Sequence, residues 1–310
     1  MNLNEKRWND NYLEEMLLLT SQNLPMIKVE DNYVIVKELG SGSYGHVLLA
    51  LNQTKGNLMA LKFMQKNKTD LHVFLIEYCL SLCLSTHPCI IDTFGIAFQT
   101  ERHYIFAQEL AHDNLFSLMK PQIGLPEISV KRCAIQLSSA LEYMHKKGLV
   151  HRDIKPENIL IFDQECRKVK LTDFGLSCRA GTYVESMPEN LPYTAPEMCS
   201  LGTADKLNAQ GSLDIWAFGV LLFCILTGYF PWTSAITADK NFVQYTKWQK
   251  SSRIFRLPNQ WNTFSTEALE MLKKLLVPDA TKRCDSMEVM KYVKSPWKIC
   301  INANTYKKMY

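Results

Sequence analysis

The sequence predicts an α+β fold of two lobes, a small strand-rich one followed by a larger helical one, on three observations. Its 310 residues correspond to two domains of ordinary size, or to one large domain in two parts. From about residue 30 to residue 111 the apolar segments are short and broken by glycine turns, as strands are. Beyond residue 112 the apolar spacing lengthens to three and four, the period of a helix. The chain accordingly divides into an N-terminal extension (1–29), a first lobe (30–111), a second lobe (112–298) and a short tail (299–310), and a cleft between the lobes is the expected ligand site.

Each element follows in order. Residues 1–28 are largely polar apart from Leu17-Leu18-Leu19, which fits one short amphipathic helix; capping the first lobe, recruiting a partner and disorder all stay open for it. Tyr33 to Val36, His46 to Ala50 and Leu58 to Phe63 are strands, a helix covers about 70–84, and Ile90 to Ala97 and Tyr104 to Glu109 complete the sheet. Ser129 to Lys147 repeats Val130, Cys133, Ala134, Leu137, Ala140 and Leu141 at helical spacing. Ile215 to Leu226 and Thr266 to Leu276 are further helices. The first of these is the longest run without a polar side chain. It is shorter than the roughly 20 residues of a membrane span, so it reads as a buried core helix.

Composition excludes several classes. Apolar residues make up 47% and charged residues 21%, which rules out a disordered or collagen-like chain. The net charge of +4 is too mild to argue for nucleic acid or a membrane surface. Ten cysteines occur without any C-x-x-C, so structural zinc is not indicated and they read as reduced, packed thiols. The first ten residues lack the pattern of a secretory signal, and neither terminus matches a lipidation box. The expectation is a soluble, cytoplasmic protein.

Gly40-Ser-Gly-Ser-Tyr-Gly-His-Val47 fits G-x-G-x-x-G-x-V and feeds a strand rather than a helix. That context separates it from a dinucleotide-binding turn and leaves a hairpin whose bare backbone N–H groups can cover a triphosphate. Seventeen residues after Gly45, Lys62 ends an apolar strand and needs an anionic partner; Glu77, fifteen residues on, is the candidate. Alone, these fit better a surface strand lysine beside a solvated helix glutamate. His151-Arg152-Asp153-Ile154-Lys155-Pro156-Glu157-Asn158, then Asp173-Phe174-Gly175 and Ala195-Pro196-Glu197, are far more specific. Asn158 and Asp173 supply the oxygen ligands that Mg²⁺ takes alongside phosphate and water. Asp153 is placed as the base for a hydroxyl nucleophile, and Lys155 can neutralise charge growing on a transferred phosphoryl group.

With these motifs in this order the chain resembles a eukaryotic protein kinase over about residues 30–298. The Lys155-Pro156 pair is similar to serine/threonine kinases. The stretches from His151 to Gly175, Leu191 to Glu197 and Asp214 to Trp232 resemble the SH3-binding-domain kinase family. The resemblance implies an ATP and Mg²⁺ cofactor set and a protein serine/threonine substrate. It implies nucleotide contacts from Leu39, Gly40, Ser41, Gly42, Ser43, Tyr44, Gly45, His46 and Val47 of the hairpin. Val47 and Ala60 would roof the adenine and Leu160 would floor it. Glu109 and Ala111 would offer backbone bonds behind a gatekeeper Gln108, with Lys62 and Glu77 at the phosphates. It further implies that Asp214 accepts backbone bonds from the catalytic loop and that Glu197 pairs with Arg283.

Two departures stand out. Asn190 occupies the position where the family usually has a threonine bonded to the catalytic Asp and Lys, which puts substrate positioning in question. None of the twelve prolines forms P-x-x-P, so SH3 binding does not carry over. Arg152 stands beside the catalytic Asp, where it can pair an activation-loop phosphate; Ser186, Thr182 and Tyr183 are the candidate phosphosites, with Glu185 or Glu189 as a constitutive charge instead. A pseudokinase scaffold is the alternative function, although Lys62, Asp153 and Asp173 are all present. A small-molecule kinase is a third reading, less consistent with Ala195-Pro196-Glu197. Substrate consensus and oligomeric state are not encoded legibly.

Overall fold

The computed structural model describes residues 10–42, 45–185, 192–202, 204–251 and 256–299. The first lobe holds helix α1 (Asp10–Gln22), strands β1 (Tyr33–Gly42), β2 (Gly45–Asn52) and β3 (Leu58–Gln65), helix α2 (Leu71–Leu84), and strands β4 (Thr93–Gln99) and β5 (His103–Gln108). The strands form one antiparallel sheet in the order β1-β2-β3-β5-β4. The second lobe begins with β6 (Asp113–Asn114), the one-turn helix α3 (Leu115–Leu118) and the long helix α4 (Glu127–Lys146). Short strands β7 (Leu149–Val150), β8 (Ile159–Ile161), β9 (Val169–Leu171), β10 (Cys178–Arg179) and β11 (Tyr183–Val184) follow. After these come α5 (Pro196–Cys199), β12 (Leu207–Asn208), α6 (Gly211–Thr227), α7 (Lys240–Lys250) and α8 (Thr266–Leu275).

Strand alternation sorts the side chains of the sheet. On β3, Met59, Leu61 and Phe63 join Ile105 and Ala107 of β5 in a small core on one face. Ala60, Lys62 and Met64 therefore emerge on the other face, where Met64 and Phe106 meet α2 and the main core. Cross-strand pairing puts Val47 opposite Lys62 and Ala60 opposite Gln108, so these four share the inner face.

Helix α6 is buried from Leu213 to Thr227, the apolar-all-round pattern of a central helix. Gly228 closes it at φ 75°, its N–H bonding Cys224 O at 2.8 Å. A β-carbon there would stand 2.6 Å from Ile123 N, so glycine is required twice over. Among the described residues, no helix is long and apolar enough to cross a membrane. The nine described cysteines are unpaired, and Cys79, Cys133, Cys166 and Cys224 are fully buried.

The expected strand from Ile90 is shorter than its sequence suggests. Strand β4 starts only at Thr93, because the backbone before it pairs with the other lobe. Leu171 N donates to Cys89 O at 2.9 Å, and Ile91 N donates to Leu171 O at 3.0 Å. Those polar groups are satisfied by β9 instead of β5, which stitches the lobes behind the cleft.

Candidate active site

The first half of the site hangs on the inner face of the sheet. Lys62 of β3 pairs with Glu77 of α2, and its Nζ also lies 3.2 Å from Asp173 Oδ1. Burial works to lower the Lys62 pKa, but the Asp173 and Glu77 carboxylates outweigh it and hold the ammonium charged. Burial likewise works to raise Asp173, yet the Lys62 charge keeps its carboxyl below the usual value. Glu77 goes the other way: burial pushes it up, and Lys62 offsets only part of that. One cation thus bridges two carboxylates from different lobes.

The second half is the loop after β7. Asp153 Oδ2 accepts from Asn158 Nδ2 at 2.7 Å and lies 2.9 Å from Lys155 Nζ. Asn158 Nδ2 also donates to Asp153 O at 2.9 Å, so the amide hydrogens face the loop and the carbonyl Oδ1 is the atom left to meet a cation. Thr172 N donates to Asn158 O at 3.0 Å, and β8 pairs with β9 through Ile159 and Leu171. These bonds fix Asn158 beside Asp173. An amide carbonyl and a carboxylate are the hard oxygen donors that suit Mg²⁺, so the residues present fit that ion.

Asp214 holds the loop from below. It is fully buried and accepts from His151 N at 2.8 Å, Arg152 N at 2.7 Å and His145 Nε2 at 2.8 Å. Burial would raise its pKa, but the bond and charge of His145 and the backbone donors bring it below the ordinary value. Arg152 adopts φ 70°, a left-handed conformation worth about 1–3 kcal/mol of strain in a non-glycine residue. Its charge-assisted bond to Asp214, worth about 1.5–3 kcal/mol, is of the size needed to hold it there. Asp173 sits at φ 67°.

The structure brings together Lys62 with Glu77 and Asp173, and Asp153 with Lys155 and Asn158. Leu39, Gly40, Ser41 and Gly42 lie on β1, and Gly45, His46 and Val47 on β2, paired across the hairpin as Gly42 with Gly45 and Ser41 with His46. Ser43 and Tyr44 lie outside the described residues, as do Ser186, Glu189 and Asn190. Leu39 is exposed, and His46 Nδ1 lies 3.3 Å from Glu38 Oε1. Leu160 is half-buried on β8, and Ala111 is half-buried on the linker after β5. Glu109 N already donates to Asp92 O at 2.9 Å, so its carbonyl is the backbone group left for a base.

Three structural partnerships escaped the sequence reading. Glu109 has a second role through its side chain, which accepts from Asp92 N at 2.8 Å and pairs with the buried Lys170. The signal was a lysine between Val169 and Leu171 in an apolar strand. Gln108 Nε2 donates to Ser81 Oγ and Thr93 Oγ1, each at 3.1 Å, so this amide is tied to α2 and β4. His145 beneath Asp214 carried no sequence signal, because its partner is 69 residues away.

Comparison with known proteins agrees with the geometry. Residues 33–297 match the protein kinase domain model. The chain is 50% identical to Serine/threonine-protein kinase SBK1 of Danio rerio, over 92% of this chain and 74% of that protein. It is 47% identical to SBK1 of Mus musculus over 91% of this chain and 67% of that protein. It is 43% identical to Serine/threonine-protein kinase SBK2 of Rattus norvegicus, over 92% of this chain and 80% of that protein. The sheet-borne lysine pair, the loop carboxylate and these matches converge: the chain belongs to the protein kinase family, within its SH3-binding-domain serine/threonine kinases.

Proposed function

We propose that this protein transfers the γ-phosphoryl group of Mg²⁺-bound ATP to a serine or threonine hydroxyl of a protein substrate. The observation that carries this reading is the intact polar set: Lys62 between Glu77 and Asp173, and Asp153 between Lys155 and Asn158. Asp153 is the group that takes the hydroxyl proton as the new O–P bond forms and the bond from the γ-phosphorus to the β-phosphate oxygen breaks, releasing ADP; its bond to Asn158 aims the carboxylate. Lys155, 2.9 Å from Asp153, places a positive charge where the γ-phosphoryl passes. Lys62 holds the α- and β-phosphates, and the backbone of Gly40 to Gly45 covers them. Val47, Ala60 and Leu160 enclose the adenine, with Glu109 and Ala111 at its edge. Asn158 and Asp173 would hold Mg²⁺, which would supply charge neutralisation at the phosphate oxygens.

The test is an ATP/Mg²⁺ assay over a serine/threonine/tyrosine peptide library, run beside Lys62→Met and Asp153→Asn. Asp153→Asn is expected to lose about 10²–10⁴-fold in rate, the usual weight of a general base. Equal signal from all three proteins sinks the proposal and leaves a nucleotide-binding scaffold. Asn190→Thr then asks whether position 190 limits turnover, and Ser186→Ala asks whether phosphorylation there controls it.

A further inference from the structure

Helix α1 is seated on the back of α2. Leu13 is buried, and Met16 and Leu17 are half-buried against the core, at the spacing of one helical face. Met16 Sδ lies 3.3 Å from Cys83 Sγ, and Thr20 Oγ1 lies 3.8 Å from Cys79 Sγ. Cys79 stands two residues from Glu77, about 200° around the helix, so α1 presses on the side of α2 opposite its buried carboxylate. The chain leaving α1 is then pinned to the sheet at Gln99. Gln99 N donates to Pro25 O at 2.9 Å, Ile27 N donates to Gln99 O at 3.0 Å, and Gln99 Nε2 donates to Leu24 O at 3.1 Å. Lys66 Nζ donates to Gln99 Oε1 at 2.8 Å, which ties the same residue to the end of β3.

Helix α2 needs such support. Its N-cap residue Asp70 makes no side-chain capping bond, and its polar ties to the sheet are few: Glu77 to Lys62, Tyr78 OH to Phe94 O at 3.4 Å, and the Ser81, Thr93 and Gln108 cluster. A helix that carries a buried glutamate to a lysine on another element works only if its rotation and depth are fixed. From this packing we propose that α1 is a built-in brace: Leu13, Met16 and Leu17 are positioning residues that hold α2 so that Glu77 meets Lys62. The α1 face outside the catalytic cleft thereby sets phosphate binding and turnover. This rests on the phosphotransfer reading for its effect on rate, but its effect on α2 and on nucleotide affinity does not.

The experiment is a double-mutant cycle in the full chain with Leu13→Asp and Glu77→Gln, reading ATP/Mg²⁺ affinity, kcat/KM and hydrogen exchange of α2. Leu13→Asp alone should weaken ATP affinity and kcat/KM about tenfold and speed exchange in α2 while β8 and β9 keep their protection. In the Glu77→Gln background the same substitution should cost less than about twofold. Equal losses in both backgrounds, or unchanged exchange in α2, overturn the proposal. Should Leu13→Asp fail to fold, Leu17→Ala with Met16→Cys carries the test. Oxidised glutathione joins the new thiol to Cys83, releasing two reduced glutathiones, and the crosslinked protein should regain the ATP affinity that its reduced form lacks. No regain on crosslinking overturns the proposal. If the unsubstituted chain turns over no peptide, the functional reading fails by itself, and affinity and α2 exchange still decide on the brace.

Discussion

Glu197 and Arg283, 86 residues apart, meet through two parallel hydrogen bonds of 2.6 Å each. The Arg283 side chain is fully buried, lies over the Trp216 ring at 4.9 Å, and also donates to Ser212 O and Val277 O. It therefore ties α5, the start of α6 and the segment after α8 into one joint. Lysine keeps the charge but not the planar fork. Arg283→Lys should destabilise the protein by about 1–3 kcal/mol, the cost of leaving buried acceptors of the fork without their donor. Denaturant unfolding measures it, and a loss under about 1 kcal/mol would show the joint to be incidental.

The glycines of the hairpin separate two reasons for being glycine. A β-carbon on Gly45 would stand 1.9 Å from Phe63 O, whereas one on Gly42 meets nothing within 4 Å. Gly45→Ala should cost stability, by about 1–3 kcal/mol or more, since the obstacle is backbone. Gly42→Ala should leave stability within about 0.5 kcal/mol of the parent and, on the proposed function, instead weaken ATP binding where phosphate would lie against that backbone. Calorimetry and ATP titration on the two variants distinguish these. A Gly42→Ala protein with unchanged ATP affinity would count against phosphates lying under that turn.

Gly175 offers a finer probe of the buried pair. Its β-carbon would be 3.1 Å from Glu77 Oε2, which must give by a few tenths of an ångström, and 3.4 Å from Asp173 Oδ1, an ordinary contact. Gly175→Ala should fold normally and lose about tenfold in kcat/KM, because small misplacements at a reacting centre are amplified in rate. Steady-state kinetics with a circular-dichroism control checks this.

Asp214 predicts a pH dependence. Its folded pKa lies below the ordinary 3.8, so its contribution to stability is complete above about pH 4 and is lost as pH falls through the folded value. Asp214→Asn should be less stable at neutral pH, since two backbone donors and His145 lose a charged acceptor. Below pH 4 the gap between the two proteins should close. Urea midpoints across pH 2.5–7 provide the comparison, and a constant gap would refute the linkage.

The sequence by itself determined the two-lobed α+β fold, the order of the first-lobe strands and α2, three of the second-lobe helices, and the motifs that hold the polar side chains. Those rest on local information: the period of apolar residues, glycine spacing and short motifs whose members stand within a few residues of one another. Asp153, Lys155 and Asn158 were legible because their loop is contiguous. Only the tertiary structure decided that Ile90 and Ile91 belong to the inter-lobe stitch, since competition between β5 and β9 for their backbone cannot be read locally. It alone placed Lys170 on Glu109, His145 under Asp214 and α1 against α2. Each of these pairs residues distant in the chain, and their meeting depends on how whole elements pack rather than on any pattern within one of them.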